Sequence, residues 1–526
     1  MPEPLEHPVP ETVTLSLISH TNAGKTTLKR TLLRRDVGEI DDQPHVTQSN
    51  DADVLVEDGK RRLVLWDTPG FGVLSDTLLR RLRNSDRPLI SFLAEKWDRI
   101  ANRSLWSSQM AVRNVREESD LVLYLVDLWQ EPEELDFHVG QEMELLQWLG
   151  KPVLVLLNKT EAGADQEKSA AAVEEWRKRL GVDHPVVRDV MELDAFSRCW
   201  VQEADLMERL VAHVPAEKKK PAEALVRVWR NRNLDVFRQS TEEIGRLVAE
   251  TVLDGEEIPG SGVTKQALAQ LQSLYGAMAR KMLGPLAKFL PGTKFEDTEF
   301  NKAIYAARAE LEMRAVNRFG EMMDRLIGLH QLSGQASNEL RELAESDFAV
   351  PPREVEEISA FAVGAALGLA GVGIAAEVGA HGLGGGAIFA ALMAGPGAML
   401  LAKGYNLALG KDRKLRWAED HVIGQFHQML IAYLAVAHFG RGRGEWKPGH
   451  ARAEGEAREH WRDAVTLVIS ERSEELQQLW KNGAAEEPDS VATYEGAVEL
   501  VRECAAALLR RLHPSSDWES ASADPE

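Results

Sequence analysis

Short apolar runs separated by polar loops fill the first two hundred residues. Val13-Thr-Leu-Ser-Leu-Ile18, Asp120-Leu-Val-Leu-Tyr-Leu-Val-Asp127 and Pro152-Val-Leu-Val-Leu-Leu157 each read as a strand. The last two are continuous rather than alternating, the pattern of strands buried on both faces of a mainly parallel sheet. Asp53–Asp58 and Arg61–Trp66 flank Gly59 as the two arms of a hairpin. Thr27–Arg34 reads as a helix, and so do Leu78–Arg83 and Ser91–Val115. In the last of these, Trp97 and Trp106 alternate with arginines, which reads as a tryptophan core face and a solvated arginine face in preference to a surface for a partner or nucleic acid.

Past Val201 the strand signals disappear and helical periodicity takes over. Ala204–Val214 ends near Pro215, and Lys218-Lys-Lys-Pro221 reads as a polar linker. Ala222–Leu253 carries Leu225, Val228, Trp229, Leu234, Phe237 and Ile244 as an apolar stripe. Asp254–Gly262 breaks it, and Lys265–Phe289 and Asp297–Ser346 continue as amphipathic helices suited to a bundle. No metal-ligand spacing stands out there, and His330 and Glu339 read as surface or cap residues. Leu415–Phe439, Ala451–Lys481 and Ser490–Leu512 are further helices.

One stretch breaks this pattern. From Ile358 to Ala402 the only ionisable side chains are Glu377 and His381. Each flanking arm approaches the length that spans a bilayer, Gly364 and Gly368 form a G-x-x-x-G, and Lys403 to Arg416 supplies a basic flank. Ala and Gly gain little from lipid, however, and Pro396 interrupts the second arm. The stretch reads as a membrane-inserting hairpin, as a Gly-zipped hairpin inside a soluble bundle, or as one shielded in only one state of the protein.

Length and charge narrow the picture. At 526 residues the chain exceeds one core. A net charge of −21 argues against a general nucleic-acid binder. Two cysteines, Cys199 and Cys504, make no disulfide framework, and the first residues show no signal-peptide pattern, so a cytoplasmic protein is expected. The apolar stretch would then place it at the cytoplasmic face of the inner membrane.

The candidate chemistry starts at Ile18–Thr27, where Asn22, Ala23, Gly24, Lys25, Thr26 and Thr27 form a phosphate-binding loop between strand and helix. Lys25 would reach the outer phosphates and the Thr26 hydroxyl would bind Mg2+. Ser19 stands where the motif G-x-x-x-x-G-K-[ST] has its first glycine. Thr47 follows Lys25 by 22 positions in a polar stretch, as a switch residue closing over Mg2+ and a γ-phosphate would. Asp67-Thr-Pro-Gly70 follows a strand, so that Asp67 can hold Mg2+ through water and the Gly70 N–H can meet the γ-phosphate. Asn158-Lys159-Thr-Glu161 ends another strand. There Asn158 can read the purine edge, Lys159 can cover the base plane and Glu161 can accept from guanine N1 and N2. Ala195 could offer its N–H to the guanine carbonyl.

Taken in this order, the motifs resemble the translation-factor-like GTPases, particularly the Era and TrmE branch, over roughly residues 10–200. The whole chain resembles a bacterial family that joins such a GTPase to a helical region of unknown function. The resemblance implies GTP and GDP as ligands, Mg2+ as cofactor and hydrolysis to GDP and phosphate, with Lys25, Thr47 and Gly70 in the catalytic set. It also implies that Asn22 helps bind K+ in place of an arginine finger. Glu161 departs from the usual Asp, and Phe71 stands where Ras-like enzymes carry a water-orienting Gln. Slow turnover, accelerated by K+, by a homodimer through the GTPase domain or by a partner, is therefore expected.

The expected architecture is an α/β P-loop GTPase domain at 1–213, with a mostly parallel sheet and helices on both faces. A mainly helical region follows: a bundle at 222–350, the apolar hairpin at 358–402, C-terminal helices at 411–513 and a disordered tail at 514–526. Three outputs stay open. One is a membrane-associated switch or remodeller, with lipids or a membrane protein as partner. The others are a soluble assembly or RNA-maturation GTPase, and a nucleotide-binding scaffold without useful turnover. Nucleic acid is not expected as a partner.

Overall fold

The computed structural model describes residues 11–19, 24–34, 51–68, 103–127, 132–158, 166–193, 199–257, 299–332, 407–409, 414–417, 419–438, 455–514, 516 and 518. The chain divides into two units. One comprises Met1–Asp235, Ala437–Trp446 and His513–Glu526, and the other comprises Val236–Val436 and Lys447–Leu512.

In the first unit the described elements run β1 (Thr12–Ser19), α1 (Lys25–Leu33), β2 (Asp51–Asp58), β3 (Arg61–Asp67), α2 (Arg103–Glu117), β4 (Leu121–Asp127), α3 (Pro132–Leu149), β5 (Val153–Asn158), α4 (Gln166–Asp183), β6 (Val187–Glu192) and α5 (Trp200–His213). They build a six-stranded sheet of order β2-β3-β1-β4-β5-β6, parallel except for the β2–β3 hairpin. The continuous apolar runs explain its layers. Val122, Tyr124 and Val126 of β4 and Val153, Val155 and Leu157 of β5 join one core with side chains of α2, α3 and α4. The alternate residues Leu121, Leu123, Leu125, Leu154 and Leu156 point to the opposite face and are equally buried. Both faces are therefore covered, as strands without polar alternation require. Inside this core the Tyr124 hydroxyl donates to Glu142 of α3. Burial, with Glu142 adding to it, raises the tyrosine pKa well above its ordinary value.

The expected linker at 218–221 is instead structured. Ala216–Lys218 forms a 3-10 turn and α6 (Lys219–Leu253) begins at once. Pro221 fits because the first turn of a helix has no intrahelical use for its N–H. Likewise α5 starts at Trp200, ahead of the expected Ala204. The tail expected to be disordered carries Trp518, which is buried and meets Trp200 edge-on at 5.2 Å. An indole removed from water outweighs the polar residues around it.

Elements of the second unit, after the shared helix α6, are β7 (Gly255–Glu257), α7 (Glu299–Leu329), β8 (Leu407–Leu409), β9 (Lys414–Trp417), α8 (Glu419–Ala437), α9 (Gly455–Glu471), α10 (Ser473–Gly483) and α11 (Ser490–Leu512). The region is largely helical. It also contains an antiparallel sheet of order β7-β9-β8 that the sequence pattern did not announce, and β9 takes the first residues of the helix expected from Leu415. Three or four residues are too few to show alternation. The helix expected over Ala451–Lys481 breaks at Arg472 into α9 and α10. His330, expected at the surface, is half-buried, with the Ser240 hydroxyl 3.2 Å from its Nε2 and the Tyr433 ring nearby. Asp254 accepts from Arg314 at 2.9 Å and from Arg318 at 2.9 Å, closing the end of α6 onto α7. Among the described residues no helix is long and apolar enough to cross a membrane. The apolar stretch 358–402 and the helices expected at 78–83 and 265–289 lie outside the described residues.

Candidate functional site

The carboxyl ends of the parallel strands gather the candidate residues. Leu17 of β1 pairs in register with Asp67, the last residue of β3, and Asp127 of β4 pairs with Asn158, the last residue of β5. In open α/β sheets this edge is where ligands bind. Thr68 is held there, with its N–H and hydroxyl both donating to the Leu17 carbonyl, at 3.3 and 2.8 Å.

Gly24 makes the turn from strand to helix. Its φ is +90°, a left-handed conformation that side chains disfavour, and its carbonyl accepts the first helical bond from Leu28 at 2.9 Å. A Cβ at this position would lie 2.5 Å from Asn158 Nδ2. The residue expected to read the base edge is thus packed directly on the phosphate-loop glycine. Asn158 is itself fully buried.

Lys25 opens α1, where a cation opposes the helix dipole and no acid occupies the first turn. An anion at this N-terminus would resolve that conflict. Its ammonium lies 3.2 Å from Asp67 Oδ1 and donates to the Thr68 carbonyl at 2.5 Å. Burial pushes its pKa below the usual lysine value, and Asp67 opposes the shift.

Lys29 is a further charged member that the sequence reading passed over. It is buried, 2.9 Å from Asp53 Oδ2 and 4.0 Å from Asp67 Oδ2. Its position four residues after Lys25 was the available signal, since i and i+4 share one helix face.

These residues suit Mg2+. Asp67 Oδ1 is buried and accepts no hydrogen bond among the described residues, although the Lys25 charge is close. A carboxylate oxygen placed so, beside the first turn that carries the Thr26 hydroxyl, matches the hard oxygen donors that Mg2+ takes directly or through water.

Of the expected site residues, Gly24, Lys25, Thr26, Thr27, Asp67 and Asn158 are described. Asn22, Ala23, Thr47, Gly70, Lys159, Glu161 and Ala195 lie outside the described residues, as does Phe71.

A family model matches the part of the chain that carries this site. Residues 14–159 match the family described as 50S ribosome-binding GTPase. GTPase Der of Citrifermentans bemidjiense is 27% identical over 208 residues, covering 39% of this chain and 38% of Der. GTPase Der of Leptospira interrogans is 27% identical over 190 residues, covering 36% and 33%. The chain thus spans less than two fifths of these relatives' length. Among solved structures, Aquifex aeolicus Era bound to GDP and AlF4− aligns at 17% identity with a TM-score of 0.29, covering 61% of this chain and 99% of Era. An Era complex with MgGDPNP and a 16S ribosomal RNA fragment aligns at 20% identity with a TM-score of 0.28, covering 39% and 57%. With its mostly parallel sheet and its phosphate-loop glycine and lysine at the strand ends, the N-terminal part of this chain is a P-loop GTPase domain, followed by a largely helical region.

Proposed function

We propose that the chain binds GTP and hydrolyses its β–γ phosphate bond, working as a nucleotide-controlled switch. The observation that carries this reading is Lys25 at the start of α1, ion-paired with Asp67 at the carboxyl end of β3, beside a Gly24 packed on Asn158. The similarity to GTPase Der supports it.

In this reading the loop residues Asn22 to Thr27 enclose the phosphates. Lys25 stabilises charge moving onto the leaving oxygens. Asn158, Lys159, Glu161 and Ala195 read guanine, while Thr47 and Gly70 respond to the γ-phosphate. Thr26, Thr47 and Asp67 would hold Mg2+, which would neutralise phosphate charge when bound. Asn22 would contribute to a K+ site that adds positive charge at the same place.

Lys25 also gives the switch a physical link. Incoming phosphate oxygens compete with Asp67 and the Thr68 carbonyl for one ammonium. Phosphate binding and the start of the Asp67–Gly70 loop therefore act on the same group.

The test is multiple-turnover phosphate release from GTP, with binding of labelled GTP competed by ATP. The full chain is expected to turn over faster in K+ than in Na+ and to resist ATP. Lys25→Ala is expected to lose at least ~100-fold in hydrolysis, the scale of losing one aimed charge in a transition state. Tight binding without turnover would favour a scaffold. Equal competition by ATP would remove guanine selection.

What the switch controls has two readings. Ribosome or RNA assembly is favoured by the matched family, which is described as ribosome-binding. Net charge does not rule this out, because it sums over the whole chain and says nothing of one face. Nucleic acid, not expected from the charge of −21, therefore stays open as a partner. A membrane-associated switch rests on the sequence of 358–402 alone. Carbonate-resistant pelleting with membranes, against cosedimentation with 50S particles, separates the two.

A further inference from the structure

Three residues of the first unit, far apart in sequence, converge on one another. Cys199 is the buried N-cap residue of α5. His438 follows α8 directly and is buried, and His513 follows α11. Their sulfur and ring-nitrogen atoms all lie within 4.8 Å of one another. The two Nε2 atoms face each other at 2.9 Å, with the rings stacked 20° from parallel.

We propose that Cys199, His438 and His513 form a zinc(II) site that fastens the segments Ala437–Trp446 and His513–Glu526 to the connection between β6 and α5. A thiolate with two imidazoles is a borderline-soft donor set, which suits zinc and excludes Mg2+ and Ca2+, the cations of oxygen-only sites.

The geometry is close to what zinc needs. Zn–S of about 2.3 Å and Zn–N of about 2.0–2.1 Å in a tetrahedron separate the donor atoms by about 3.3–3.6 Å. The facing nitrogens open slightly from 2.9 Å, and the sulfur closes in from at most 4.8 Å, by no more than about 1.2 Å. A hydrogen bond between two imidazoles requires one tautomer of each and uses one lone pair. A metal ion instead accepts a lone pair from both.

The surroundings favour the charged ligand. Cys199 sits at a helix N-terminus, where the dipole stabilises a thiolate. On binding, the S–Zn bond forms and the thiol proton passes to solvent. Trp200, next to Cys199 in sequence, is buried and meets the buried Trp518 edge-on at 5.2 Å. Three protein donors leave the fourth position for water.

The test uses the purified full chain, loaded with zinc and dialysed into metal-free buffer. Elemental analysis should find one equivalent of zinc. Cobalt(II) in its place should give a thiolate-to-metal charge-transfer band in the near ultraviolet. Cys199→Ser and His513→Gln should lose both, with helical circular dichroism retained. Cys504→Ala should keep both, because that thiol lies on α11 and outside the cluster. Substoichiometric zinc in the unmodified chain, or zinc and band retained in both ligand variants, would each overturn the assignment. Should a ligand variant fail to fold, the unmodified and Cys504→Ala chains decide. A cobalt band in both supports the site, and its absence from either overturns it.

Discussion

Gly24 shows how much one residue can carry. Its φ of +90° penalises any Cβ, and that Cβ would also meet the Asn158 amide at 2.5 Å. A left-handed conformation costs a side chain roughly 1–2 kcal/mol before any clash. Gly24→Ala should therefore weaken GTP binding by more than about tenfold, the equivalent of 1.4 kcal/mol. Titration with a fluorescent GTP analogue reads this, and unchanged affinity would remove the Gly24–Asn158 contact from the site. Another residue-scale prediction concerns acid stability. His427 lies 3.3 Å from the Thr466 hydroxyl, and burial, with the Arg462 charge adding and its backbone hydrogen bond opposing, lowers its pKa below the usual histidine value. Between its folded pKa and about 6.5, the unfolded chain holds a proton that the folded chain does not. Stability therefore falls as pH drops below about 6.5. His427→Gln should flatten this acid limb in urea unfolding at stepped pH, and an unchanged slope would refute the assignment.

Elements differ in how openly the sequence declares them. The continuous apolar runs of β4 and β5 foretold strands buried on both faces, and Ser490–Leu512 foretold α11 to the residue. Gly24-Lys25-Thr26 and Asp67 were singled out as short patterns at the ends of strands, and the structure brings Lys25 within 3.2 Å of Asp67. The small sheet was not legible, because β7 and β8 have only three residues each. Nor was the Cys199–His438–His513 cluster, whose members come from three segments joined only by folding. Close helix crossings are equally hidden. A Cβ on Gly245 of α6 would lie 2.6 Å from the Val498 Cα of α11, whereas one on Gly328 of α7 would meet nothing within 4 Å. Helix propensity favours Ala at both sites by up to ~1 kcal/mol. Backbone overlap at 245 reverses the sign, because neither helix axis can yield without repacking, at roughly 1–3 kcal/mol. Gly245→Ala should lower the urea midpoint of the second unit and Gly328→Ala should hold or raise it. Matching shifts in the two variants would show that helix propensity, not the crossing, sets the outcome.

At the scale of the molecule, sequence order and compact units do not coincide. The first unit takes Ala437–Trp446 and His513–Glu526 from beyond the second unit's residues. Its stability must then depend on side chains some three hundred residues from its sheet. Trp518 is the clearest case: 4% exposed, with its ring 5.2 Å from Trp200 and nearly perpendicular to it. Removing a buried Trp side chain costs about 3–5 kcal/mol. That is a large part of the stability of an ordinary domain, about 5–15 kcal/mol. Trp518→Ala in the full chain should therefore lower the unfolding transition that follows the first unit, read by loss of bound fluorescent nucleotide on heating. The transition of the second unit, read by helical circular dichroism, should hold its position. Parallel loss of both would mean that the two units unfold as one cooperative body. Loss of neither would mean that the indole contributes little beyond the residues next to it in sequence, and that the sheet and its own helices hold the first unit together without the C-terminal segments.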